Sequence, residues 1–326
     1  MKLLVIGCGS IGQRHISNLI DLNGNIVTAC DIDNKKLHYV TGKYNIRTYT
    51  DINKALKETF DAVLICTPPS THIELAEKVV KHNIPVFIEK PISNDFGVRE
   101  LKRITEKKNL IVMVGYNLRF NREINLIKET LDKKEIGKVL SVKAEFGYYL
   151  PDWHPNEDYT KSYSARSELG GGILLDASHE FDYLSWFFGD VKEVFCYAGT
   201  YSKLRVDVED TADILLKFKS GLIGSVHLDF TQRTYTRTCK IIGEKGTINW
   251  DCIRNKVNIY VSKDNYTREF VGENDINESY VDEIKHFIHC VKTGEKPISN
   301  LGTAIKTLDI ALFCKMSSKY NKVIEL

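Results

Sequence analysis

Three glycines near the start of the chain have the spacing to do chemistry. Gly7-Cys8-Gly9-Ser10-Ile11-Gly12 is a G-x-G-x-x-G run, directly after the apolar stretch Leu3–Ile6 and at the start of a helical pattern. Gly7 allows a tight turn, Gly9 lets a pyrophosphate approach the backbone, and Gly12 lets helix pack closely on strand. The helix start at Ser10 and Ile11 offers N–H donors and the positive end of a dipole to an anion. Asp31 ends the second apolar stretch, roughly 20 residues on, where an acid meets the ribose hydroxyls of a bound dinucleotide. A carboxylate there repels a 2′-phosphate, which favours NAD over NADP. Another apolar stretch ends in Thr67-Pro68-Pro69-Ser70-Thr71-His72. That edge of an open α/β sheet is where ligands bind, so Thr67, Pro68 and His72 can line the nicotinamide half. The same turn can equally be a loop in which Thr71 caps the next helix.

Elements of two kinds must position these residues. Up to residue 120, short apolar runs (Leu3–Ile6, Ile26–Cys30, Ala62–Cys66, Val86–Ile88, Ile111–Val114) alternate with stretches of helical period such as Thr71–His82 and Asn94–Lys108, and including Ile46–Tyr49 brings the strand count to six. That alternation predicts a parallel sheet covered on both faces, a six-stranded doubly wound α/β Rossmann domain over residues 1–120. From residue 121 to 326 the texture changes to longer alternating segments rich in Val, Ile, Tyr, Phe and Thr. Val139–Tyr149, Val191–Thr200, Ala212–Phe218, Gly224–Phe230, Thr238–Ile242 and Val257–Val261 predict an α+β domain with a large open, mainly antiparallel sheet. One helix, Gly172–Phe188, interrupts them. Two more, Tyr280–Val291 and Thr303–Ser318, are expected to fold back on the first domain.

Composition excludes several classes. Lys and Arg number 45 against 43 Asp and Glu, so the net charge of +2 carries no basic excess for nucleic acid or acidic lipid. No apolar run approaches the roughly 20 residues of a membrane span, and the first residues are not a signal peptide. The eight cysteines are too widely spaced for a zinc knuckle, and several sit in apolar runs, as buried free thiols do. A reduced, cytoplasmic protein is expected. His286 and His289 lie on a terminal helix with nothing to complete a site, so no metal is expected.

Further segments carry a resemblance. Glu89-Lys90-Pro91 follows the fifth strand, Gly115-Tyr116-Asn117-Leu118-Arg119-Phe120 follows the sixth, and Gly170-Gly171-Gly172 precedes Asp176 and His179. With the glycine run and the Thr67–His72 turn, these resemble in order the Gfo/Idh/MocA oxidoreductases, the group of glucose–fructose oxidoreductase and inositol dehydrogenase. The resemblance spans essentially the whole chain, and the Glu-Lys-Pro and Gly-Gly-Gly-x-x-x-Asp segments are its most specific parts. It implies a Rossmann domain followed by an open antiparallel sheet. The implied chemistry is reversible NAD(P)-linked oxidation of a secondary alcohol on a sugar, cyclitol or sugar nucleotide. It also implies that Glu89 and Lys90 stand at the cofactor edge, where Lys90 holds the reacting hydroxyl oxygen and stabilises charge building on it. Read alone, Lys90 is as well a surface lysine paired with Glu89.

Asp176 and His179 stand i,i+3 on the expected helix, so they share a face. His179 suits a general base, and Asp176 its orienting partner or a substrate contact. The alternative is a first helical turn with dipole-favoured acids and a half-buried histidine. The family's usual spacing between this aspartate and histidine is four; here it is three, while the His179–Asp182 spacing is kept. His179 therefore keeps the family's place, while Asp176 is displaced by one residue from it.

Gly147–Arg166 gathers Tyr, Trp, His and Arg just before that helix. Trp153, His154, Tyr163 and Arg166, with Arg119 beyond the sixth strand, are candidates to hold a sugar; the loop can instead pack on the sheet or at an oligomer contact. Arg233 and Arg237 can grip a diphosphate, although a solvated hairpin is favoured there. The run from Tyr149 to Gly172 also resembles a branch of the family found in surface-glycan sugar pathways, which tilts the substrate toward amino-sugar derivatives. The leading reading is an NAD-dependent sugar or sugar-nucleotide dehydrogenase. A cyclitol dehydrogenase and a non-catalytic dinucleotide-binding regulator stand beside it, and transient-oxidation lyase chemistry is also open. The open sheet is expected to be covered in a homodimer or homotetramer.

Overall fold

The computed structural model describes residues 1–263, 265–272 and 275–326. The five apolar runs and the mixed Ile46–Tyr49 stretch become β1 (Lys2–Ile6), β2 (Ile26–Cys30), β3 (Arg47–Tyr49), β4 (Ala62–Ile65), β5 (Val86–Glu89) and β6 (Val112–Gly115). They form one parallel sheet in the order β3-β2-β1-β4-β5-β6. Every residue of β4 and β5 is buried, as strands covered on both faces require. The helices between them are α1 (Ser10–Asp21), α2 (Asn34–Tyr44), α3 (Ile52–Ala55), α4 (His72–Lys81) and α5 (Arg99–Lys108). Strand order reverses between β1 and β4, which opens the crevice at the strands' carboxyl ends where Gly7–Gly12 and Thr67–His72 emerge.

The second half contains α6 (Arg122–Asp132), β7 (Val139–Gly147), α7 (Ile173–Asp176), α8 (His179–Phe188), β8 (Val191–Gly199), β9 (Thr211–Phe218), β10 (Ile223–Asp229), β11 (Thr236–Gly243), β12 (Gly246–Asp251), β13 (Lys256–Val261) and β14 (Tyr266–Val271). They are followed by α9 (Ile276–Thr293), α10 (Leu301–Tyr320) and the short β15 (Ile324–Glu325). Nine strands pair in the order β14-β13-β12-β11-β7-β10-β9-β8-β15, all antiparallel except β10 beside β7. Alternation decides which face is covered. Ala212, Ile214, Leu216 and Phe218 of β9 point inward, and α7 packs on β9 and β10 while α8 packs on β7. The other face is open and carries Tyr197, Leu215 and Ile223, each more than half exposed.

Two compact units result, Met1–Asn117 with Asn277–Ile305, and Leu118–Ile276 with Lys306–Leu326. In the first, Ser299 closes the outer edge of β6: the Val114 N–H donates to its carbonyl (2.9 Å), and its hydroxyl donates to the Val114 carbonyl (2.8 Å). In the second, Ser317 of α10 accepts from the Cys196 N–H of β8 (3.0 Å).

The single helix expected over Gly172–Phe188 is a correction. It is two helices, with the break at Ala177 and Ser178, where Ala177 has ψ 29. Asp176 therefore ends one helix and His179 begins the next, and the shared-face argument no longer applies to them.

Candidate active site

The glycine turn meets each requirement set by its sequence. Gly7 has φ 95, and a Cβ on it would lie 2.6 Å from the Cys66 carbonyl oxygen. A Cβ on Gly12 would lie 1.9 Å from the Gly7 oxygen, so helix and strand touch there. A Cβ on Gly9 would meet nothing within 4 Å, and this open approach is the space a pyrophosphate needs. Gly9 caps α1 without a side chain, leaving the first N–H groups around Ser10 and Ile11 for an anion. Asp31 is held in place at the end of β2. Its two carboxylate oxygens accept from the Cys8 N–H (2.7 Å) and the Asp33 N–H (2.8 Å). Burial, and then Asp31 itself, push the Cys8 thiol up to about 12 and the Cys30 thiol to about 11. Both thiols thus stay neutral and add no charge against a phosphate. The turn fits a dinucleotide.

Two buried histidines brace the neighbouring turns. His72 is fully buried; its Nε2 lies 2.7 Å from the Thr67 carbonyl oxygen and its Nδ1 2.9 Å from that of Pro91. It thereby ties the turn after β4 to the Lys90–Pro91 turn after β5, and burial lowers its pKa. Thr71 does not cap α4 with its hydroxyl, which bonds Thr67 and the Pro68 carbonyl instead. His15 of α1, also fully buried, lies 2.6 Å from Oε1 of Glu89, and Oε2 of Glu89 accepts from the Lys90 N–H (3.1 Å). Glu89 is thus a buried brace under Lys90. Glu283 of α9 completes a cluster whose His15, Glu89 and Glu283 ligand atoms lie within 4.8 Å of one another. The 2.6 Å His15–Glu89 contact is a direct hydrogen bond, shorter than the roughly 3.3 Å between two ligands of one tetrahedral zinc. Sequence reasoning passed over His15 and Glu283. His15 was legible, since it falls one helical turn after Gly12 on the face turned to the sheet.

In the second unit, the glycine triplet brings Tyr163 to Asp176. A Cβ on Gly171 would lie 2.1 Å from the Tyr163 carbonyl oxygen, and the Gly172 N–H donates to the Ser164 carbonyl (3.1 Å). Gly172 has φ 107, and a Cβ there would strike Glu209. Only glycine lets loop 163–166 lie this close to the start of α7. The Tyr163 hydroxyl then donates to Oδ1 of Asp176 (2.7 Å). Asp176 and His179 are 4% and 7% exposed.

Two buried ion pairs hold the first turn of α8. Arg119 forks onto Asp182 with two bonds of 2.8 Å, and Arg237 meets Glu180 at 2.9 Å. Burial raises the Asp182 pKa against Arg119; burial works to lower that of Arg237, but Glu180 together with the neighbouring Tyr235, Cys252 and Tyr183 holds it raised. Arg119 and Arg237 are therefore committed to carboxylates, and the Gln232–Arg237 segment is not a wholly solvated hairpin. Arg233 lies 3.5 Å over the Tyr149 ring. Trp153 packs against Phe146, Tyr148 and Phe230 and donates to the Tyr148 carbonyl (3.1 Å). His154 is exposed, and Arg166 pairs with Glu168.

The chain matches known proteins along its length. Residues 1–116 match the oxidoreductase family with an NAD-binding Rossmann fold, and residues 124–249 match the GFO/IDH/MocA C-terminal domain. A myo-inositol 2-dehydrogenase of Thermotoga maritima is 31% identical, with 91% of this chain and 90% of the relative aligned. Two solved structures share the fold. A levoglucosan dehydrogenase in complex with NADH has TM-score 0.92 at 17% identity, covering 100% of this chain and 98% of the other. The WlbA dehydrogenase of Bordetella pertussis with NADH and UDP-GlcNAcA has TM-score 0.87 at 20% identity, covering 100% and 97%. No helix among the described residues is long and apolar enough to cross a membrane. With both of its halves matched and the glycine turn built for a dinucleotide, the chain belongs to the Gfo/Idh/MocA family of NAD-binding oxidoreductases.

Proposed function

We propose that the protein is an NAD-dependent dehydrogenase that reversibly oxidises a secondary ring alcohol of a cyclic polyol or sugar. The observation that carries this reading is Lys90. It follows β5 at the sheet edge where β1 delivers the glycine turn and β4 delivers Thr67 and Pro68, and its backbone is held through Glu89 by His15. Bound NAD would supply the acceptor for the hydride that leaves the carbinol carbon. The Lys90 ammonium holds the alcohol oxygen and stabilises the charge that builds on it. His179 accepts the hydroxyl proton. Asp176, fixed by the Tyr163 hydroxyl, orients the substrate or the histidine. Gly7–Gly12 with Ser10 and Ile11 hold the pyrophosphate, and Asp31 accepts from the ribose hydroxyls.

The basic groups support a neutral substrate over a diphosphate. Arg119 and Arg237 are neutralised by buried carboxylates, and Arg233 lies on Tyr149. The 31%-identical relative named for myo-inositol points the same way. His154, and Arg166 together with its exposed partner Glu168, are left as the candidate polar contacts to the ring hydroxyls. Seven buried cysteines fit a reducing, cytoplasmic setting. The open apolar face of the second sheet fits burial in a homo-oligomer. The test is NADH formation from NAD with inositols, hexoses and nucleotide sugars side by side. Turnover of a neutral polyol supports the reading; turnover confined to nucleotide sugars overturns the substrate class, and none at all favours a non-catalytic dinucleotide-binding protein.

A further inference from the structure

Nothing in the chemistry of a dehydrogenase calls for two arginine–carboxylate pairs buried beneath one helical turn. Glu180 and Asp182 immediately follow His179 in the first turn of α8, and both are essentially unexposed. Two residues apart on a helix, they point about 200° away from each other around its axis. Their partners come from different elements. Arg119 lies in the turn after β6, and Arg237 lies on β11. Each guanidinium is fixed by an aromatic ring as well: Arg119 lies 5.4 Å from the centroid of Trp186, one turn along α8, and Arg237 lies 4.4 Å from that of Phe146 on β7. The Thr307 hydroxyl adds a contact to Asp182 (3.4 Å).

We propose that Arg119 and Arg237 are positioning residues that hold the first turn of α8 from two sides and thereby set the place of His179. Buried ion pairs contribute little stability compared with apolar residues of the same size. What the Arg119 fork supplies is direction, since two parallel bonds fix angle as well as distance; Arg237 lies against Glu180 as an ion pair at 2.9 Å with a longer Nη2 bond of 3.5 Å, its plane set over the Phe146 ring. Direction is what a proton acceptor needs, because a misplacement of about 1 Å costs on the order of a hundredfold in rate. The inference rests on the reading of His179 as the base.

The test uses Arg119→Lys, which keeps the charge and loses the fork, Arg237→Lys, which keeps the charge and loses the planar guanidinium over Phe146, and the paired swap Glu180→Met with Arg237→Met, which removes a buried pair without stranding a charge. Each is assayed with NAD and myo-inositol, or with the polyol that the wild type oxidises fastest. The melting temperature and the dissociation constant for NADH are read in parallel. The expected result is folded protein with kcat down about tenfold or more, and NADH affinity within about twofold of wild type because the dinucleotide turn belongs to the other unit. Variants that are folded and keep wild-type kcat overturn the inference, even if they melt earlier, since that is what a purely structural role gives. His179→Ala separates the two levels. If it keeps wild-type kcat, the base assignment falls and the inference with it. If it is inactive while all the arginine variants are fully active, the inference alone falls.

Discussion

Replacing Asp31 by serine should move the cofactor preference by a predictable amount. In the wild type the carboxylate is held by the Cys8 and Asp33 N–H groups at 2.7 and 2.8 Å, so it cannot swing away from a ribose at the end of β2. A 2′-phosphate placed about 5 Å from it meets roughly 3 kcal/mol of repulsion per phosphate charge at an effective dielectric near 20, and less where solvent enters. The wild type should therefore prefer NAD over NADP in kcat/KM by about a hundredfold or more. Serine removes the repulsion and also a charged acceptor for the ribose hydroxyls, a loss of about 1.5–3 kcal/mol in NAD binding. The variant's preference should fall to within about tenfold, mostly through a higher KM for NAD. Two N–H groups lose their acceptor, so about 1–3 kcal/mol of stability should go as well, and assays belong well below the variant's melting point. Initial rates with each dinucleotide at one fixed polyol concentration give the ratio. An unchanged ratio in a folded variant would refute the assignment of Asp31 to the ribose.

Two other outcomes follow from local geometry. Gly171→Ala should lose stability by about 1–3 kcal/mol, because its Cβ would lie 2.1 Å from the Tyr163 carbonyl oxygen, and kcat should fall as Tyr163 is pushed off Asp176; denaturant titration and initial rates check both. His227 pairs with Asp213 and Asp229, and the Asp229 bond most of all raises its pKa to about 9. Its contribution is complete below the unfolded pKa near 6.5 and is lost as pH rises through about 9. Allowing for solvent screening of this half-exposed pair, about 1 kcal/mol should disappear between those limits, and His227→Gln should abolish that pH dependence in urea unfolding.

Both domains were legible because each uses one strong periodicity. Predominantly apolar runs marked β1, β2 and β4 to β6, β3 is reached only by admitting the mixed Ile46–Tyr49, and alternation marked β7 to β11 and β13. The elements that escaped have weak patterns. Tyr266–Val271 is exposed along its whole length, β15 is two residues long, and Gly246–Asp251 hides its alternation behind Gly, Thr and Asn. The break between α7 and α8 was invisible because Ile173–Phe188 keeps helical composition through Ala177 and Ser178. The dinucleotide turn could be read in detail, since each glycine answers to a backbone demand. Arginine partners could not. Arg119 and Arg237 have the residue type of an anion site, and only three-dimensional pairing with Asp182 and Glu180 reveals that their charge is already met. Trp153 is similar, for the ring that suits a sugar face also suits the sheet beneath it.

The central claim is that Lys90 acts on the alcohol oxygen at the cofactor edge. Its most direct measurement is the rate of NADH formation by wild type and Lys90→Ala on the polyol that the wild type oxidises, together with NADH affinity by fluorescence titration. Loss of one such charge-stabilising donor should lower kcat by about a hundredfold or more while leaving the fold intact and NADH binding within about tenfold. A Lys90→Ala variant that turns over at the wild-type rate would contradict the account.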